Sequence, residues 1–303
     1  MRRPALSPGR PRPVGGGVNV NPKLVEDIVR RALEEDIGTG DLTTEATVPA
    51  EATAEAIIHT KEEGVIAGLD AARIVFRTLD PALAFTAAVA DGTLVPQGTV
   101  IARLAGSARA ILMGERTALN LLQRMSGIAT MTRRAVEAVK FFPTRIVDTR
   151  KTAPGLRLLD KYAVRMGGGQ NHRFGLYDAV LIKDNHIKVA GGIGAAVAAA
   201  RKAIPFTAKV EVETENLEQV QEALTAGADI IMLDNMDYDT MRKAVELING
   251  RALVEASGKV TVETVTDVAR TGVDFISMGA LTHSVKALDI SLDIGEIKAS
   301  SRA

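Results

Sequence analysis

The sequence contains no cysteine and no tryptophan, and only 3% of its residues are aromatic. The first absence excludes disulfides, thiolate nucleophiles and Cys-ligated metal centres, and it suits a reducing compartment. The scarcity of aromatic rings argues against stacking platforms of the kind that hold single-stranded nucleic acid. Net charge is lacking too. Against 37 Lys and Arg stand 37 Asp and Glu, so no general attraction draws the chain to polyanions. No apolar run is long enough to cross a bilayer. The opening MRRPALSPGRPRPVGGGVNV has no apolar h-region, so it does not read as a secretory signal. Neither a nucleic acid nor a membrane is expected as a partner, and the cytoplasm is the default location. Residues 1–19, rich in Arg, Pro and Gly, are expected to form a flexible tail.

What is present is ample core material: 46% of the 303 residues are hydrophobic, enough for one large domain or two ordinary ones. NPKLVEDIVRRALEED predicts a first helix, with Asn21 as cap, Pro22 at the first helical position, and Leu24, Val25, Ile28, Val29, Ala32 and Leu33 on one face. Short alternating segments follow: AEAIIHTK, a helix at LDAARIVFRTLD, and FTAAVADGTLVPQGTVIARLAG with an Asp91-Gly92 turn. That mixture predicts an α+β domain with an antiparallel sheet. From about residue 145 the rhythm changes. Apolar strands are predicted at RIVDT, AVLIKD, AKVEVE, IIMLDN, ALVEAS and FISMGAL. The last four begin at 208, 230, 252 and 275, and amphipathic helical patterns with a glycine near the end separate them. A regular strand–helix–strand period means βαβ units and a parallel sheet. Six strands fall short of the eight that close a (β/α) barrel, so an incomplete barrel is expected. ALDISLDI then alternates like a strand returning to the first domain's sheet.

The predicted strands end in polar or special residues: Asp148 with Arg150, Lys183 with Asp184, Glu213, Asp234, Ser257 with Gly258, and Gly279. In a barrel that rim carries the chemistry. Between Arg145 and Lys188 stand nine Lys or Arg against four Asp, and two of the chain's four histidines, His172 and His186. A solvated basic surface would account for such a run. Yet Arg150 and Lys183 close strands, and like charges about 4 Å apart repel by roughly 4 kcal/mol at an effective dielectric near 20. Cations converging at a rim therefore favour a small bound anion. Glu213 and Asp234 read either as structural partners of neighbouring cations or as ligands for sugar hydroxyls or a hydrated Mg²⁺. At the last two loops, Ser257, Gly258, Lys259, Gly279 and Ala280 have the small, bare-amide character of a phosphate cradle, with His283 just beyond. A phosphate cradle, a carboxylate pair and a cationic pocket fit a phosphorylated ribosyl donor with an anionic acceptor.

The blocks ERTALNLLQRMSGIAT, DTRKTAPGLRLLDKYAVRMGGGQNHRFGLYDAVLIKDNHI, VEVETEN, IMLDNM, EASGKV and MGALTHSVKALDISLDI resemble the quinolinate phosphoribosyltransferases from about Pro22 to Ile294. The resemblance implies an N-terminal open α/β sandwich over 20–117 with 287–303, and an incomplete (β/α) barrel catalytic domain over 118–286. It implies a homodimer with active sites at the subunit interface, a higher oligomer being left open. The implied reaction joins quinolinate and phosphoribosyl pyrophosphate, with Mg²⁺, to give nicotinate mononucleotide, pyrophosphate and CO₂. By that resemblance Arg150, Lys151, His172, Arg173 and Lys183 surround quinolinate and part of the pyrophosphate, and Arg116 comes across from the partner subunit. Glu213 and Asp234 meet the ribose and its Mg²⁺, directly or through water, and Lys151, Lys183, Glu213 and Asp234 take the catalytic roles. Ser257, Gly258, Gly279, Ala280 and His283 match the 5′-phosphate region. The chain has SGKV where the family more often shows a second glycine or an asparagine after SG, which leaves the role of Lys259 open.

Three other readings remain: a related phosphoribosyltransferase with another heterocyclic acceptor, a Schiff-base aldolase using Lys183, and a non-catalytic phosphometabolite-binding protein.

Overall fold

The computed structural model describes residues 20–298. The expectation of a flexible tail over 1–19 lies outside them, as do residues 299–303. In chain order the elements are α1 (Pro22–Ile37), α2 (Leu42–Thr47), β1 (Thr53–Thr60), β2 (Gly64–Val65), α3 (Leu69–Leu79), β3 (Ala84–Ala87), β4 (Leu94–Val95), β5 (Val100–Ser107) and α4 (Ala108–Ala138). There follow β6 (Arg145–Val147), α5 (Arg157–Met166), β7 (Val180–Ile182), α6 (Asp184–Ala190), α7 (Ile193–Ala203), β8 (Val210–Thr214), α8 (Leu217–Thr225), β9 (Ile230–Asp234), α9 (Tyr238–Ile248), β10 (Leu253–Ser257), α10 (Val265–Ala269), β11 (Phe275–Ser277), α11 (Ala280–His283) and β12 (Ile290–Lys298). They form two compact units, neither of them a continuous stretch: residues 20–133, 153–168 and 285–298, and residues 134–152 and 169–284.

In the first unit an antiparallel sheet runs in the order β12-β1-β5-β3. Alternate residues of β1, from Ala54 to Thr60, are buried, as a half-buried strand requires. ALDISLDI is therefore the returning strand expected of it, with Ile290 opposite Thr60. Helix α1 begins where Asn21 accepts a hydrogen bond from the Lys23 amide, and it buries Val25, Ile28, Val29 and Leu33. Leu24, expected on that face, is half exposed at its margin. Asp91 accepts from the amides of Gly68 and Leu69 and from the Tyr162 hydroxyl, tying the Asp91-Gly92 turn to α3 and α5. Arg124 on α4 grips the fully buried Asp160 of α5 with two hydrogen bonds of 2.8 Å.

The unit boundaries differ from those expected. The first unit takes α4 as far as residue 133, not 117, since Arg124 and Arg133 bond Asp160, Gly167 and Gly92 of the same unit. It also claims 153–168, because α5 buries Leu159, Ala163, Val164 and Met166 there. Its last segment starts at 285.

In the second unit all six expected strands are present and parallel, in the order β6-β11-β10-β9-β8-β7. Helices α8 and α9 start on the side chains of Asn216 and Asp237. Left-handed residues follow them at Gly227, and at Asn249 with Gly250, the conformation a helix stop needs. The unit is an incomplete α/β barrel.

Candidate active site

The carboxyl ends of the six parallel strands place the expected site residues of the second unit. On β8, alternation sends Glu211 and Glu213 to one face, and register sets Leu181 of β7 beside Glu211. Lys183, two residues beyond Leu181, thus falls beside Glu213, and its Nζ lies 2.6 Å from the Glu213 carboxylate. An amine held in that ion pair is the wrong form for Schiff-base chemistry, which needs the neutral amine. The Lys183 amide also donates to His186 Nδ1 at the start of α6. That accounts for His186 as a capping residue.

Arg150 and Arg173 are close enough to disturb each other. Burial first, and then the like charge of Arg150, lower the affinity of Arg173 for its proton, while Glu211 works the other way. The Arg150 Nε is buried without a hydrogen-bond partner, and Arg173 donates to the Ala179 carbonyl. Two guanidiniums so placed favour an anion between or beside them.

His172 reaches inward. Its Nε2 lies 3.1 Å from Glu211 and 3.4 Å from Glu255. Its Nδ1 accepts the Arg173 amide at 2.8 Å, and its own amide donates to Asp148. Burial disfavours the charged ring, yet the two carboxylates outweigh it and raise the pKa to about 10. The Arg173 amide, by contrast, needs a bare lone pair on Nδ1. The geometry is that of the Nε2–H ring, and a second proton would cost the amide bond. The three side chains are of metal-ligand type, but Nε2 already bonds the carboxylates, so the trio forms a hydrogen-bonded network. Glu211 and Glu255 were not singled out by the sequence pattern. The signal was there: a glutamate in the middle of each of two otherwise apolar strands.

The expected phosphate region is drawn together. Thr282 of α11 donates to the Lys151 carbonyl at 2.8 Å. A Cβ at Gly279 would sit 2.9 Å from the Lys151 side chain and 3.1 Å from the His283 ring, so both side chains close on this glycine. His283 Nδ1 is paired with the Ser284 hydroxyl at 2.7 Å. Gly258 and Lys259, just beyond β10, have left-handed φ of +105° and +48°. The Gly258 turn packs on Asn235, whose amide donates to Ser257. Asn235 in turn donates to Asp234 at 2.8 Å. Lys259 is exposed. Arg116 lies on α4 in the first unit. Gly167, at the end of α5, is a helix-packing position: a Cβ there would lie 2.5 Å from the Ala129 carbonyl of α4.

Models of the quinolinate phosphoribosyl transferase N-terminal and C-terminal domains match residues 41–126 and 128–293. The chain belongs to the quinolinate phosphoribosyltransferase family. Among relatives of that family it is similar to the probable nicotinate-nucleotide pyrophosphorylase (carboxylating) of Bacillus subtilis, at 51% identity over 91% of this chain and 95% of that one. The corresponding Synechocystis protein is 49% identical over 89% and 92%. The solved structure of the nicotinate-nucleotide pyrophosphorylase from Francisella tularensis has 43% identity and a TM-score of 0.88, covering 91% of this chain and 98% of that one. Among the described residues, no helix of this quinolinate phosphoribosyltransferase family member is long and apolar enough to cross a membrane.

Proposed function

We propose that the chain transfers phosphoribosyl from phosphoribosyl pyrophosphate to quinolinate with decarboxylation, giving nicotinate mononucleotide, pyrophosphate and CO₂ for NAD biosynthesis. The observation that carries the reading is the pair of neighbouring guanidiniums, Arg150 and Arg173, in a chain of this family. Quinolinate presents two adjacent carboxylates, and charge-assisted hydrogen bonds to each are worth about 1.5–3 kcal/mol. Arg150, Lys151, Arg173 and Lys183 surround them and the leaving pyrophosphate in our reading, with His172, both ring nitrogens engaged, holding the Arg173 main chain behind them, and Arg116 supplied by the partner subunit of a homodimer. Ser257, Gly258, Lys259, Gly279, Ala280 and His283 hold the 5′-phosphate.

As pyrophosphate leaves, the ribose carbon gains cationic character, which the Glu213 and Asp234 carboxylates stabilise. Loss of the neighbouring carboxylate then leaves negative charge beside the quaternised ring nitrogen, and the guanidiniums stabilise it. The oxygen donors of Glu213 and Asp234 suit a hydrated Mg²⁺, which would neutralise pyrophosphate charge when bound. Absence of cysteine is in keeping with a cytoplasmic enzyme.

Isothermal titration with quinolinate and with nicotinate tests the acceptor. Tight quinolinate binding and weak nicotinate binding are expected, whereas equal or absent binding would assign the site to another acceptor. Arg173→Ala and Lys183→Ala should each abolish nicotinate mononucleotide formation in a folded protein, and near-normal turnover in both would remove the site assignment. Mixed Arg116→Ala and Lys183→Ala subunits should regain activity through hybrid dimers. No recovery despite demonstrated subunit exchange would exclude the shared site.

A further inference from the structure

Glu211 and Glu255 are 3% exposed, and carboxylates taken out of water to that extent are unfavourable unless paired. Replacing a buried ion network with apolar side chains is often neutral or stabilising, so stability alone does not account for two such groups. Their placement does. Strands β8 and β10 flank β9, and Glu213 and Glu255 both pair in register with Met232. The two buried glutamates approach each other across β9 and close on one atom, His172 Nε2, at 3.1 and 3.4 Å. The other ring nitrogen holds the Arg173 amide at 2.8 Å, and the His172 amide is held by Asp148 at 2.8 Å. The main chain entering Arg173 is thus fixed on both sides of the ring. One oxygen of each glutamate is buried with no hydrogen-bond partner, which is an unusual arrangement for a merely structural network. Glu211 also favours the charge on Arg173 that Arg150 opposes.

We propose that Glu211 and Glu255 are positioning residues for the acceptor's carboxylates, locking the His172 ring so that Nδ1 fixes the Arg173 main chain. Neither touches substrate in this scheme. They set the direction and spacing of the guanidiniums that do. The inference rests on the functional reading above, in which those guanidiniums bind quinolinate.

The test is steady-state kinetics of the full chain with Glu211→Gln and Glu255→Gln, which keep the side-chain volume and remove the charge. The KM for quinolinate should rise about tenfold or more, the change that a loss of about 1.4 kcal/mol produces. The KM for phosphoribosyl pyrophosphate should stay within about twofold. An unchanged quinolinate KM in both folded variants would overturn the proposal, as would equal rises in both KM values, the mark of general loosening. Wild-type protein covers the case of variants that do not fold. In ¹⁵N-histidine spectra one imidazole should show a bare, hydrogen-bonded Nδ1 and an Nε2 proton shielded from water, and four freely exchanging rings would overturn the proposal. A wild-type chain that does not turn over quinolinate would instead sink the functional reading, and this inference with it.

Discussion

Lys259 holds a left-handed backbone, φ +48°, where a residue with a Cβ is disfavoured by roughly 1–2 kcal/mol and Gly or Asn is tolerated. The glycine or asparagine more usual after SG in this family thereby has a physical reason. Lys259→Asn should stabilise the fold by about 1 kcal/mol in chemical denaturation; if the ammonium also serves the 5′-phosphate, the KM for phosphoribosyl pyrophosphate should rise in the same variant. No gain in stability would mean that the turn relieves the strain elsewhere. Asp91 supplies a pH dependence. Burial pushes its carboxyl above the ordinary 3.8, against the hydrogen bonds from Gly68, Tyr162 and Leu69. A raised folded-state value means that the unfolded chain releases the proton first, so the native state loses ground as pH climbs from the unfolded value to the folded one. Asp91→Asn removes that loss. The stability difference between variant and wild type should move in the variant's favour from about pH 4 towards about pH 7, and a move the other way in urea midpoints would refute the burial effect. Gly167→Ala, finally, drives a methyl against the Ala129 carbonyl and Thr132 and should cost about 1–3 kcal/mol, read from the same midpoints.

Strands buried on both faces are apolar runs, and the helices between the last four repeat at a fixed spacing, so β6 to β11 and helices α8 to α10 were legible from residues alone. The returning strand β12 was legible from its alternation. That α4 runs unbroken across residue 117 does not show in the local pattern, which contains Gly114 and Gly127. Both are close-packing positions: a Cβ at Gly114 would press on the Phe76 ring, and one at Gly127 on the Lys286 carbonyl. Nor does a local pattern tell that α5 leaves the barrel-like unit, since its apolar face states only that a partner exists. The charged rim was readable residue by residue. The convergence of Glu211 and Glu255 on His172 depends on the register of β8, β9 and β10 together, which no single window contains. At this scale the cap of α8 is a simple check: Asn216 accepts the Gln219 amide at 2.9 Å, and Asn216→Ala should cost about 1 kcal/mol in thermal or chemical unfolding.

Taken as a whole, the chain is threaded so that neither unit is a contiguous piece. A fragment of residues 134–284, the obvious excision of the barrel-like part, carries α5 away from the unit in which it is counted. Leu159, Ala163, Val164 and Met166, and the buried Asp160 with its Arg124 partner missing, would then face water. That fragment is expected to aggregate or to bind hydrophobic dyes, whereas a monomeric, sharply unfolding fragment would show that α5 does not need the first unit to cover its apolar face. The pairing of β1 with β12 carries a consequence for synthesis. A ribosome delivers Thr53–Thr60 well before Ile290–Lys298, and domains otherwise fold in the order they emerge. The nascent protein must therefore extend through its whole catalytic half with one strand edge open, a standing template for stray β pairing. The unit begun first is completed only after the second has been made, and its open edge must wait through that interval.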